Sequence, residues 1–397
     1  MRKFNVLYDS SVEGNKDLIV NTMYGYKIEE IEFIDINDIV INESEKYYSI
    51  LVTGFYIEPY FLNYKSLPIP HKTKNLMRKH KNVFSVFLSE HESDNDRVII
   101  CLEEQSKNEN LNTEQIILIN GNEIIDGLVS ESNSKIKVHT SNRLPLVAVE
   151  GMNTFKYNFE ENRKNTFMCF NRMNKCHRLA LLVLLRNEGI LDEIDWSLLR
   201  GNEIKERYIN LDGSYSYILF LDVLDKDDIK KYKEHIDYLV NYGIKNSINE
   251  TDYKIDEPPY FIDFYKSYEM NPYKHSYVNL VTETSYHSEK VIHITEKSLI
   301  PFYYSQIGLI LGSCGHNERF KEKYQLDMFE DIIDYSFDKE KDNRERLFLY
   351  FEQVKKLKQI DFKKYFSENK KRFESNMKRI KNIVNDKKDY NFFKSLI

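Results

Sequence analysis

The sequence predicts an α/β protein: two parallel-sheet domains in tandem, followed by a helical tail. Three observations carry that prediction. The 397 residues exceed what one ordinary hydrophobic core serves. Short β-branched and aromatic runs alternate with polar or helix-periodic stretches in two series, which a patternless stretch separates. Beyond Asp342 only the helical period persists.

In the first series, Phe4–Tyr8, Ser49–Val52, Val83–Leu88 and Ile116–Ile119 read as strands of a parallel sheet, giving a domain over residues 1–155. The pattern dissolves at Glu150–Lys164 (EGMNTFKYNFEENRK), which reads as a linker. The second series, residues 156–342, opens with the strand TFMCF (Thr166–Phe170) and the apolar helix His177–Arg186. Strands are then expected at Tyr217–Leu221, Tyr277–Glu283, Val291–Ile294 and Ile307–Leu311, with a helix opening at Thr295-Glu296-Lys297. DVLDKDD (Asp222–Asp228) reads as a helix start rather than a metal-binding acid pair. In residues 343–397, Phe351, Val354, Leu357, Phe366, Phe373, Met377, Ile380 and Val384 recur at helical spacing with lysines between them.

Composition narrows the class. An apolar fraction of 41% with 30% charged residues fits a soluble globular protein, and no apolar run is long enough to span a membrane. Four scattered cysteines without a CxxC pair indicate neither a disulfide framework nor a zinc site, so a cytoplasmic setting, in a bacterial or an infected host cell, is expected. The net charge of −6 is unevenly spread: Gln353–Ile397 holds 14 Lys/Arg against 5 Asp/Glu. A smaller basic run includes Lys72, Lys74 and Arg78. Such blocks are either solvated helix faces or a surface for a polyanion, to which Lys370, Lys371 and Lys378 of the tail would contribute.

Three constellations can carry chemistry. FNRMNKCHRLALL (Phe170–Leu182) gathers Arg172, Lys175, His177 and Arg178 where a strand ends and a helix begins. The helix dipole disfavours cations there, so anion binding explains them better than capping does. In YVNLVTETSYHSEKVIHITEK (Tyr277–Lys297), two strands each end in Thr-Glu, which would send Glu283 and Glu296 into the crevice beyond the sheet. Thr295 is a helix cap and Glu296 an acceptor for ribose hydroxyls; Lys297 makes sense at a helix start only beside an anion. The acidic loop past Val83–Leu88 offers Glu90, Glu92 and Asp94 as general bases for a hydroxyl, and Asp9 and Glu13 are similarly placed. GxGxxG, Walker A, HExxH and GxSxG patterns are missing, and nothing read from the residues requires a metal or cofactor.

The ordered set FNRMNKCHRLALLVLLRNEGILD, NLVTET, ITEKSLIPFYYSQIGLILG and IDYSFD resembles a bacterial and phage group of GT-B glycosyltransferases, distantly similar to α1,3-fucosyltransferases. It spans about Thr166–Arg346; Ile300 departs from the lysine common in that group. The resemblance implies two Rossmann-like domains facing a cleft, the nucleotide-sugar in the second and the acceptor in the first. It implies Arg172 and Arg178 on the diphosphate, Glu296 on the ribose, Lys297 on phosphate or sugar, and Glu283 beside the sugar. It also implies metal-independent catalysis and a final helix returning to the first domain. The expected function is transfer of a hexosyl or pentosyl unit to an acceptor hydroxyl. The basic tail favours DNA, for instance a hydroxymethylated base, over a cell-surface glycan. A silent nucleotide- or glycan-binding module is the rival from another class.

Overall fold

The structure is a computed structural model that describes every residue except 1–2, 13–14, 25–27, 29, 53–68, 90–95, 142, 154–156, 158, 172–174, 199–217, 247–270, 288–289 and 397. The chain is α/β and divides into two compact units. The first comprises Met1–Val147, Lys290–His293 and Asn385–Ile397, the second Ala148–Glu289 and Ile294–Val384.

The first unit runs β1 (Phe4–Tyr8), α1 (Asn15–Tyr24), β2 (Ile31–Asp35), β3 (Tyr47–Val52), α2 (His71–Lys79), β4 (Val83–Ser89), α3 (Asp96–Asn108), β5 (Ile116–Asn120), α4 (Ile125–Ser132) and β6 (Lys137–Thr140), and reaches into α5 (Arg143–Met152). All strands pair in parallel, in the order β2-β1-β3-β4-β5-β6. Alternate residues feed two cores. Val6, Tyr48, Ile50, Val86 and Ile117 meet Ile19 and Met23 of α1. Leu7, Tyr47, Phe87 and Leu118 meet Met77 of α2, Leu102 of α3 and Leu128 of α4. A sheet buried on both faces has to be apolar along nearly its whole length, which is why the inner strands read so clearly. The edge strands IEFID and KVHT did not: each has one neighbour, and β2 stays half-exposed.

The second unit continues with β7 (Asn165–Asn171), α6 (Cys176–Asn187), β8 (Asp195–Leu198), α7 (Lys226–Lys231), α8 (Lys233–Asn246), α9 (Asn271–His275), β9 (Ser276–Thr282), α10 (Glu296–Tyr303), β10 (Ile307–Leu311), α11 (His316–Tyr324), α12 (Asn343–Leu357), α13 (Phe362–Glu368) and α14 (Lys370–Asn382). Among the described residues its four strands are parallel, in the order β10-β9-β7-β8.

Several expectations are corrected. The stretch read as a strand at Tyr217–Leu221 is a 3₁₀ turn over its described part, Ile218–Asp222. Val291–Ile294 forms only an isolated bridge, His293 with Asn122, and Lys290–His293 belongs to the first unit. Residues 343–397 are not one body. Leu347, Tyr350, Val354, Phe366, Phe373 and Ile380 are buried within the second unit. Only the end, with α15 (Lys388–Leu396), belongs to the first, where Phe393 and Leu396 enter the α1-side core and Asp389 Oδ1 lies 2.7 Å from His139 Nε2. The presumed linker carries a buried cation: Arg163, 8% exposed, donates to the carbonyls of Glu160, Tyr273, Ser276, Tyr304 and Ser305 and to the Tyr157 hydroxyl.

Candidate functional site

The connectivity of the second sheet creates one distinguished place. From β7 the chain leaves through α6 to β8 on one side; from β9 it leaves through α10 to β10 on the other. The strand order therefore reverses between β7 and β9, and open α/β sheets bind ligands beyond the carboxyl ends at such a point. Thr282 Oγ1 donates to Asn171 Oδ1 across this pair of strand ends (2.5 Å). The N-termini of α6 and α10 both follow those ends, with backbone N–H groups and the positive pole of each dipole there.

At α10 the reading of the three functional groups is resolved in space. Thr295 is the cap, its Oγ1 accepting from the Lys297 N–H at 3.2 Å. Glu296 and Lys297 pair at 2.8 Å, with the lysine side chain 32% exposed and the carboxylate 11%. The ammonium thus lies at a helix N-terminus, about two-thirds withdrawn from water, paired with Glu296 and near enough to Glu283 to favour its charged form. Ile300, where the resembled group carries lysine, is buried in the helix's apolar side.

Glu283 does not project into the crevice. It is fully buried and accepts from Thr295 N (3.2 Å), Thr295 Oγ1 (2.8 Å), Ser298 Oγ (2.5 Å) and Thr284 N (3.1 Å). Burial pushes its carboxyl up, but His316, Lys297 and the Ser298 and Thr295 hydroxyls outweigh that and hold it at about 2. Its role is to anchor the start of α10 to the end of β9, so the expected contact with a sugar is withdrawn. Ser298 also meets His316 Nε2 at 3.1 Å, extending the buried network to α11. Sequence reasoning missed Ser298 and His316. A signal existed in ILGSCGH: a Cβ on Gly312 would fall 2.8 Å from His316 Cγ, so only glycine leaves room for that ring.

The basic cluster at α6 also has a different explanation. Lys175 Nζ donates to Thr284 O (3.0 Å), His177 Nε2 to Glu283 O (2.9 Å), and Arg178 Nη2 to Thr282 O and Glu283 O (both 3.3 Å). The carbonyls that leave the sheet at the end of β9 need donors, and these side chains supply them. Arg178 and His177 are 2% and 0% exposed, so the expected diphosphate contact through Arg178 does not fit its burial. Beside them Cys176 Sγ lies 3.1 Å from His287 Nε2. Arg172, Glu90, Glu92, Asp94 and Glu13 lie outside the described residues.

The polyanion candidates separate. Lys74 is buried against Glu109 (2.6 Å), and Arg78 donates to the Glu109 carbonyl at 2.9 and 3.1 Å; both hold α2 to the end of α3. Lys72 is exposed and donates to Asn37. Removing Lys74 breaks its ion pair with the nearly buried Glu109 carboxylate, so Lys74→Ala is expected to destabilise the first unit by about 2 kcal/mol in urea melts, a cost that a solvated lysine would not show. Lys370, Lys371 and Lys378 are exposed, with Lys370 paired to Glu161 at 3.1 Å. Arg372 is taken by Asp327 and Asp331. In the first unit Asp9 follows β1, but Ser11 and Asn37 donate to its carboxylate and hold it below its usual range, the wrong direction for a base. A cavity of about 740 Å³ in the second unit, lined by Glu318, Glu330, Asp334 and Asp338 among others, includes none of the expected site residues.

No family model matches the chain, and no curated protein sequence does. Among solved structures, a DNA-modifying β-glucosyltransferase, determined with and without its substrate uridine diphosphoglucose, aligns with all of this chain and 99% of its own at 12% identity. The TM-score is 0.42, and a likeness at that level carries no inference about this chain.

Proposed function

We propose that the protein is a glycosyltransferase whose second unit holds a nucleotide-sugar at the β7/β9 switch point. The observation that supports this is the start of α10: a capped helix N-terminus at the reversal of strand order, where the partly exposed Lys297 ammonium lies beside the nearly buried Glu296 carboxylate. A carboxylate there can accept from ribose hydroxyls, while Lys297 and the α10 backbone N–H groups meet the diphosphate. Charge builds on that diphosphate as the sugar leaves, and these fixed positive groups stabilise it without reorganising. Glu283, Thr295 and Ser298 hold the helix start in place beneath it. The ordered motifs that resemble GT-B glycosyltransferases cover the same elements. In this reading the acceptor belongs to the first unit, and a carboxylate of Glu90, Glu92 or Asp94 takes its proton.

The acceptor in this reading is DNA. The surplus of nine positive charges in Gln353–Ile397, with Lys371, Lys378 and Arg379 exposed, favours a polyanion over a neutral glycan. Isothermal titration with nucleotide-sugars tests the donor site: Lys297→Ala is expected to weaken binding at least tenfold with the fold intact, and an unchanged affinity would place the donor elsewhere. Mass spectrometry of hydroxymethylated DNA and of glycans, each incubated with the bound donor, then distinguishes the acceptors. A mass gain on glycans alone would replace DNA, and no gain on either would leave a binding module.

A further inference from the structure

We infer that Cys176, His177 and His287 form a zinc-binding site at the start of α6, independent of the nucleotide-sugar reading. The ligand atoms of these three residues lie within 4.8 Å of one another. Cys176 and His177 open the helix, and His287 arrives from the loop after β9, 110 residues further along.

The decisive observation is the state of His177. Its ring is fully buried, and Nε2 donates its proton to the Glu283 carbonyl at 2.9 Å. A carbonyl can only accept, so in the neutral ring Nδ1 is a bare lone pair, and that buried nitrogen has no hydrogen-bond partner. Leaving an acceptor buried and unsatisfied is costly, and native structures rarely do so without a reason. An imidazole whose far N–H is fixed by a backbone carbonyl, with the other nitrogen bare, is the arrangement metal-ligating histidines adopt.

The donor set selects the metal. One thiolate and two imidazoles suit Zn²⁺, with a fourth position left for water. Cys176 and His287 are only partly covered, which leaves an entry path. Lys175, Arg178 and Arg346 oppose a dication, while the Asp222 carboxylate acts on both Cys176 and His287 from the other sign. Binding breaks the S–H bond, forms S–Zn and releases one proton to solvent. His287 then carries its proton on Nδ1. Asn343, whose Nδ2 now lies 3.1 Å from that atom, turns its amide so that Oδ1 accepts, while Arg346 keeps the Glu340 and Tyr286 carbonyls.

The test titrates the full chain with Co²⁺ and then displaces it with Zn²⁺. One equivalent should bind with a thiolate-to-cobalt charge-transfer band and the intense visible absorption of a tetrahedral ion, and Zn²⁺ should abolish both. Cys176→Ser and His287→Ala, both at partly exposed positions, should each weaken Zn²⁺ binding by at least about 100-fold, since losing a ligand exceeds the loss of an outer partner. Asn343→Asp should tighten it, by supplying a full acceptor to His287. Cys101→Ser, on α3 of the first unit, should change nothing. Absence of the charge-transfer band, a weak octahedral spectrum, or equal affinity in Cys176→Ser would overturn the assignment.

Discussion

Arg163→Ala is expected to destabilise the second unit by about 4 kcal/mol or more. The guanidinium serves five carbonyls and one hydroxyl inside the unit and stacks over Phe366 at 5.1 Å. Hydrogen bonds from a charged donor are worth roughly 1.5–3 kcal/mol each, and every buried carbonyl left without a donor costs about 1–3 kcal/mol. Water entering the hole recovers part of this, which sets the estimate well below the sum. Arg163→Lys should recover only a minority of the loss, because an ammonium has three donors and cannot span carbonyls on separate segments. The only tryptophan, Trp196, sits in β8 of the same unit, so its fluorescence during urea unfolding reads the right body. A loss under about 1 kcal/mol would mean that the carbonyls find other donors and that Arg163 is not the knot described.

The second large effect concerns Glu283 and acid. Its carboxyl is held at about 2 in the folded chain, against a usual 4.5. A depressed carboxyl stabilises the fold fully above the unfolded value and loses that contribution as pH falls through the folded one. The window therefore runs from about pH 4.5 down to about pH 2, and a shift of this size corresponds to roughly 3 kcal/mol. Glu283→Gln is expected to cost about 2–3 kcal/mol at pH 7, because the amide cannot accept from Thr295, Ser298 and the Thr284 N–H at once. The variant's melting temperature should then change less than the wild type's across that acid window, bringing the two curves together. Parallel curves would show that the carboxylate does not carry the network.

The inner strands were legible because burial on both faces leaves a nearly continuous apolar run, as in IILIN of β5 and IGLIL of β10. Helices α6 and α10 were legible for the same kind of reason: an apolar stretch begins beside a cap or a polar turn. The edge strands, the 3₁₀ turn at Ile218–Asp222 and the single bridge at His293 were not, because short segments of mixed polarity take their conformation from their neighbours.

At the site the division is sharper. The local pattern determined that Thr295 caps a helix, that Glu296 and Lys297 sit in its first turn, and that basic groups crowd the start of α6, since these follow from residues a few positions apart. Where those groups point is decided by residues far away in the chain. The carbonyls of Thr282–Thr284 draw Lys175, His177 and Arg178 inward, although the sequence alone suggests that they face an external anion. The hydroxyls of Thr295 and Ser298 do the same to Glu283. The approach of His287 to Cys176 has no short-range signature at all, because its spacing obeys no local rule. A buried polar group takes whichever partner the fold brings within 3 Å, and only the tertiary structure says which partner that is.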